Sequence, residues 1–339
     1  MQNLPVISLV HVSPMPKALS LEDTLAALRQ ARADPTAATS LPTLRAALAS
    51  RSPHAAAKAA NIVGEHLLEK LIPDLIVAFD RCMKDPVKTD PGCVAKAAIA
   101  DALYRLGADT PDIFYRGIRH IQREPSFGPP LDSATALRSA CGFGLVRIAA
   151  PDALTELAML MADAEPNVRQ QAAEAIAYAD NPAGLPLLRF KVLIGDDEPA
   201  VLTECFTALL KIEPTASLPF VATFLDGRPD ETAEAAALSL GASRQRDAFP
   251  LLRTWWDRSR DEDLRRTALL AIAMLKLDET FAFLLSLVAE APGMSARDAV
   301  AALAIFRHDD ALRVRVATAA AQRTDRALHG VIDAAFERP

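Results

Sequence analysis

The residues whose types suit chemistry crowd one irregular stretch, RHIQREPSFGPPLD, from Arg119 to Asp132. Arg119, His120, Gln122, Arg123 and Glu124 gather polar groups at the end of a helical pattern. Phe127 adds an aromatic ring among Pro125, Gly128, Pro129 and Pro130. An irregular segment on a rigid scaffold is a common place for recognition. The same residues also make a stiff connector, with His120 and Arg123 placed favourably against the negative end of a helix. Both readings stand at this level. Catalysis by His120 does not follow, because no nucleophile or acid can be paired with it.

Signals for other chemistry are weak. His11, His54, His66, His120, His308 and His329 are scattered, and no pair has the spacing of HExxH. Cys82, Cys93, Cys141 and Cys205 include no CxxC pair and read as core thiols in a reducing compartment. Gly142, Phe143 and Gly144 lie in an apolar helical pattern without the strand, Lys and Ser/Thr of a phosphate loop. No metal, no cofactor and no catalytic residue is expected. Trp255 and Trp256 stand about 100° apart on a helix; both pack in the core or at its boundary, or one is left as an exposed hot spot.

What must position these residues is a repeat, first visible at Asp163 to Ile176, DAEPNVRQQAAEAI. With Val168 as anchor, equivalent positions fall at Val201, Glu231, Leu264 and Arg297, at steps of 33, 30, 33 and 33. Four residues beyond stand Ala172, Cys205, Ala235, Ala268 and Ala301. Seven and eight beyond stand Ala175 with Ile176, Ala208 with Leu209, Leu238 with Ser239, Ala271 with Ile272, and Ala304 with Ile305. Those offsets share one helix face. The preceding segments supply a partner helix: Leu154, Leu157, Leu160 and Met161 repeat as Leu187, Phe190, Leu193 and Ile194. A helix pair cannot cover both of its apolar faces, so neighbouring pairs must stack.

The pattern resembles the HEAT repeat family, in the shorter variety of bilin-lyase-like proteins. The residues that carry it are Asp163, Pro166, Val168, Arg169, Ala172, Ala175 and Ile176. The second copy keeps Asp196, Pro199 and Val201 but has Leu202 where the family prefers Arg; the fourth has Arg265, and the third and fifth have Thr232 and Asp298. The resemblance implies an all-α fold, an α-α superhelix of the HEAT/armadillo solenoid type with about eight or nine helix pairs. It would span residues 41–337, behind an N-terminal arm and first helix at 1–40. It also implies that second helices line a concave side. Their polar positions there include Arg169, Gln170, Glu174, Glu204, Glu234, Arg265, Arg266 and Asp298. Mixed signs suit a polypeptide better than a phosphate backbone. Any solvated helix face shows the same mixture.

In chain order, Ser20 to Ala33 reads as a helix capped by Ser20, with Asp23 in the capping-box position and Leu21, Leu25 and Leu28 as its stripe. Pairs follow at 42–49 with 54–68, 69–84 with 93–106, and 111–122 with 133–149. Regular pairs occupy 151–180, 182–212, 215–241, 246–275 and 278–307, and a charged final pair, 309–322 with 324–337, serves as the polar cap.

Composition agrees. The 339 residues are 51% hydrophobic and only 5% aromatic, a balance that favours close helix packing over sheets. A net charge of −6 argues against a general nucleic-acid binder. Residues 1–19 show neither a basic start nor a long apolar run, and nothing reaches the length of a membrane span. The expectation is a cytoplasmic, non-enzymatic module that binds a protein along its concave face and the 119–132 loop. The family resemblance implies one alternative, a bilin-lyase-like enzyme or chaperone. A HEAT-like DNA-binding protein is the second.

Overall fold

Ser20 closes the first helix as its position predicts. Its hydroxyl accepts from the Asp23 N–H at 3.1 Å and donates to the Asp23 carboxylate at 2.7 Å. The computed structural model describes residues 20–227, 230–321 and 323–336. The expected arm at 1–19 lies outside them.

The described residues are all-α apart from one small hairpin, and the chain divides into two units. The first comprises Met1–Ile113 and Gln122–Leu137, the second Phe114–Ile121 and Arg138–Pro339. In the first unit lie α1 (Leu21–Ala33), α2 (Ser40–Leu48), α3 (Pro53–Glu65), α4 (Ile72–Met83), α5 (Pro86–Thr89) and α6 (Val94–Leu106). The unit boundaries run through α7 (Pro111–Ile118) and α8 (Thr135–Arg147). Between those helices, β1 (Arg123–Glu124) and β2 (Leu131–Asp132) pair antiparallel, with Arg123 opposite Asp132 and Glu124 opposite Leu131.

The second unit continues with α9 (Ala153–Leu160), α10 (Pro166–Ala179), α11 (Leu185–Ile194), α12 (Pro199–Ile212), α13 (Pro214–Ala222) and α14 (Asp230–Ala242). It ends with α15 (Ala248–Arg258), α16 (Glu262–Met274), α17 (Asp278–Glu290), α18 (Gly293–Leu303), α19 (Asp310–Ala320) and α20 (Arg326–Phe336). The expected pairs are all present. Pro166 and Pro199 open α10 and α12, where a missing N–H costs nothing.

Within the second unit the helices form two layers. α10, α12, α14, α16 and α18 pack each against the next, while α9, α11, α13, α15 and α17 lie against their own partners. Small side chains permit the close layer. A Cβ on Gly241 of α14 would meet the Ala271 carbonyl oxygen of α16 at 2.4 Å. Gly144 of α8 likewise leaves room for the Phe114 ring, which a Cβ would meet at 2.3 Å. In the first unit α2 with α3 and α4 with α6 repeat the plan, and α3 packs along α6.

Several expected registers shift. The third and fifth anchors are Thr232 and Ala296, not Glu231 and Arg297, which are exposed. Thr232 leads to buried Ala236, Ser239 and Leu240, and Ala296 to buried Val300 and Leu303. Ile305, expected inside, is 45% exposed. On α11 the buried stripe is Leu185, Leu188 and Val192, whereas Phe190, Leu193 and Ile194 are 64%, 67% and 60% exposed. Leu21 is also exposed, and α7 stops at Ile118, a turn short of Gln122. Trp255 and Trp256 are both buried.

Candidate functional site

Two successive repeat turns hold an acid–base ladder. Arg138, at the position after the Leu137 anchor, is 3% exposed and clasps Asp163 through two hydrogen bonds of 2.8 and 3.0 Å. Its third bond goes to the His120 carbonyl at 3.0 Å. Arg169 repeats the arrangement: it binds Asp196 twice at 2.7 Å and the carbonyls of Asp163 and Ala164. Lys191 adds a third cation contact to Asp196 at 2.7 Å. Burial pushes the Asp196 carboxyl up, but the bonds from Arg169, Lys191 and the Glu198 N–H outweigh it and hold it well below the usual carboxylate range. Both aspartates also bind the backbone two residues on, at Glu165 and Glu198, which shapes the turn.

The ladder stops at Leu202, which cannot extend it. In the fourth repeat Arg265 bonds the carbonyls of Trp256 and Ser259 and stacks over the Trp256 ring at 4.3 Å. Arg169 and Arg265 are therefore held against the turns. With the corrected register the fifth repeat carries Arg297 at the same position, and it is exposed.

The close layer of second helices carries a different set. Glu204 on α12 is half-buried and has no hydrogen bond or ion pair among the described residues. Burial raises its pKa most, and the charge of Glu174 on α10 raises it further, opposed by Lys211. Glu174 is exposed and accepts from Gln171 at 2.8 Å. One turn on along α10, Tyr178 is 36% exposed and receives a bond from Arg147. Glu234 on α14 accepts from Thr267 at 3.5 Å. Arg266 on α16 pairs with Asp263 at 2.8 Å and Asp298 at 3.6 Å.

The 119–132 segment is organised rather than loose. In the second unit, Arg119 pairs with Glu156 and lies near the Tyr115 ring, and Tyr115 donates to Asp152. The His120 carbonyl receives Arg138, as above. In the first unit, Glu124 accepts from the Gly92 N–H at 2.8 Å, Gln122 at 2.6 Å and Ser133 at 2.7 Å. Those three bonds, with Lys96 nearby, outweigh its partial burial and lower its pKa. Gln122, itself buried, also reaches the Asp90 carbonyl, and Asp90 forms a fully buried ion pair with Lys96 at 3.0 Å. Arg123 is exposed on β1, and Phe127 projects wholly into solvent between the strands. No group of three or more His, Cys, Asp or Glu side chains among the described residues is placed to hold a metal ion.

The profile of HEAT repeats matches this chain at residues 154–241 and 220–305. Residues 154–305 are HEAT repeats. No curated protein matches the chain in sequence. Similar solved structures include the CpcE–CpcF complex of phycocyanin lyase from Nostoc sp. PCC7120, at 16% identity and a TM-score of 0.37, covering 73% of this chain and 93% of that one. Human deoxyhypusine hydroxylase aligns at 14% identity and a TM-score of 0.29, over 81% of this chain and 97% of its own. A Kap121p mutant aligns at 14% identity and a TM-score of 0.37, over 95% of this chain and 46% of its own. In these HEAT repeats the ladder from Asp163 to Asp196 fixes the turns, and the carboxylates of α10, α12 and α14 remain for other duties.

Proposed function

We propose that the protein is a non-enzymatic scaffold whose HEAT repeats bind a polypeptide along the layer of second helices. The observation that carries this reading is Glu204, half-buried and unpartnered, with Glu174 raising its pKa further. A carboxylate so placed is destabilised until a cation arrives, and a Lys or Arg side chain from a partner supplies one. Tyr178 and Glu174, one turn apart on α10, add an aromatic face and a second acid. The same carboxylates repel a phosphate backbone, which favours polypeptide over nucleic acid. Phe127 on the hairpin is a separate, apolar contact point. No helix among the described residues is long and apolar enough to cross a membrane. Four buried cysteines outside any disulfide suit the reducing cytoplasm.

The test is a titration of a labelled peptide of alternating lysine and serine against the full chain at low salt. Saturable binding is expected, weakened about tenfold by Glu204→Gln with Glu174→Gln, the equivalent of about 1.4 kcal/mol. Equal binding by that double variant, or none by the parent protein, refutes the reading.

A further inference from the structure

The first-helix layer of the second unit carries an apolar cleft that the proposed function does not use. Ala158, Met161 and Ala162, at and beyond the end of α9, face Leu187, Phe190 and Ile194 of α11 across a cavity of about 240 Å³. Met161 is buried at the floor, while Phe190 and Ile194 stand on the rim, 64% and 60% exposed. On the same two helices, outside the lining, Met159 and Leu193 are also exposed, at 71% and 67%. Four large apolar side chains left open on two adjacent helices are more than scattered surface residues, and a patch of that kind marks a contact. They do not belong to the unit's own core, because α11 already buries Leu185, Leu188 and Val192.

The cleft does not end in solvent alone. Ala162, Lys191 and Ile194 also line a second hollow, of about 800 Å³, at the helix-joining turns. Its walls carry four carboxylates, Asp163, Asp196, Asp197 and Glu231, against two cations, Arg169 and Lys191. The ladder consumes most of these: Asp163 is held by Arg138, and Asp196 by Arg169 and Lys191. Asp197 and Glu231 have no ion-pair partner among the described residues, and both are exposed. One continuous depression therefore runs from an apolar end to a negative end.

We infer that this depression is a second docking site, for a polypeptide segment that carries paired aliphatic side chains followed closely by lysine or arginine. The aliphatic pair fills the cleft between Met161, Phe190 and Ile194, and the cation meets Asp197 and Glu231. The negative end disfavours phosphorylated peptides, nucleic acids and anionic lipid surfaces alike. The site shares none of its residues with Glu174, Glu204 or Tyr178, so it stands or falls apart from the second-helix layer.

The probe is a labelled synthetic peptide with two adjacent leucines, a short serine–glycine spacer and two lysines, followed by fluorescence anisotropy with the 339-residue chain. Saturable binding is expected. Phe190→Ser and Ile194→Ser, both surface changes that leave the core intact, should each weaken it at least about tenfold. Asp197→Asn should weaken it several-fold and flatten its salt dependence, and a peptide with glutamates in place of lysines should not bind. Glu204→Gln should leave the Phe190-dependent part of the binding unchanged. Absence of saturable binding, or binding indifferent to Phe190→Ser, overturns the proposal. A dimer in sedimentation equilibrium that Phe190→Ser dissolves would instead give the cleft to a second copy. Peptide affinity that rises about tenfold when residues 1–19 are deleted would give it to the chain's own N-terminus. Either result also overturns the proposal.

Discussion

Gly241→Ala probes the contact on which the helix stack depends. The new Cβ would lie 2.4 Å from the Ala271 carbonyl oxygen and 2.8 Å from its Cα. Ordinary contact begins near 3.4 Å, so α16 must withdraw by about 1 Å at that point. Forcing an extra methyl into a filled interface costs about 1–3 kcal/mol. Alanine's advantage over glycine inside a helix returns up to about 1 kcal/mol. The balance is a loss of about 1–2 kcal/mol. Gly330 on α20 is the matched control, since nothing lies within 4 Å of its added Cβ. Gly330→Ala keeps the backbone gain without the clash and should stabilise by about 0.5–1 kcal/mol. Urea unfolding followed by circular dichroism compares the two. Repeat arrays need not unfold in one step, so amide hydrogen exchange should localise the loss of protection to α14 and α16. A Gly241→Ala protein as stable as the parent, with those two helices equally protected, refutes the close layer.

Arg138→Met removes the cation from Asp163 while keeping much of the side chain's bulk. Leaving a mostly buried carboxylate unpaired costs about 3–5 kcal/mol, and the urea midpoint should fall accordingly. Asp196 has a depressed folded-state pKa, so it contributes stability above its unfolded value of about 4 and loses it as the pH falls below that value. Asp196→Asn should lower the urea midpoint at neutral pH and flatten its decline in acid; an unchanged pH profile would argue against the ladder. Glu204 carries the opposite sign. Its raised pKa means the folded state favours the protonated acid, so stability falls as the pH rises through the folded pKa, and Glu204→Gln should remove that decline. Burial pushes the Cys93 and Cys205 thiols up to about 12, and only the thiolate reacts, so a thiol reagent should label neither until urea unfolds the chain.

The helix pairs were legible because the 3.6-residue pattern recurs from Ser20 onward, reinforced where Pro53, Pro166 and Pro199 open second helices. Register was harder to read where the sequence offers equivalent choices. In AEAAALSL, from Ala233 to Leu240, almost any face is small enough to pack: Ala235 and Ala236 are both buried, and the neighbouring helices take in Leu240 fully and Leu238 only in part. Along α11 both faces are apolar, so Phe190 and Ile194 passed for core while Leu188 and Val192 took that place. Asp163 and Arg169 stood out in the repeat, yet their role depends on partners 25 and 27 residues away, Arg138 and Asp196. A similar distance hid what sets Glu204 apart from the other second-helix polar positions. A glutamate on a helix looks solvated until α10 brings Glu174 beside it. The sequence placed Glu124 among the polar groups at a helix end, but not its donors, because Gly92 and Ser133 come from other segments.

Site-specific photo-crosslinking addresses the proposed binding face most directly. A photoreactive side chain at Thr207, exposed on α12 one turn beyond Glu204, is compared with one at Thr254, exposed on α15. Incubated with the lysine–serine peptide, the Thr207 protein should give adducts that Glu204→Gln with Glu174→Gln sharply reduces, and the Thr254 protein should give none. Adducts from Thr254 alone, or equal yields from both positions, would contradict recognition on the second-helix layer.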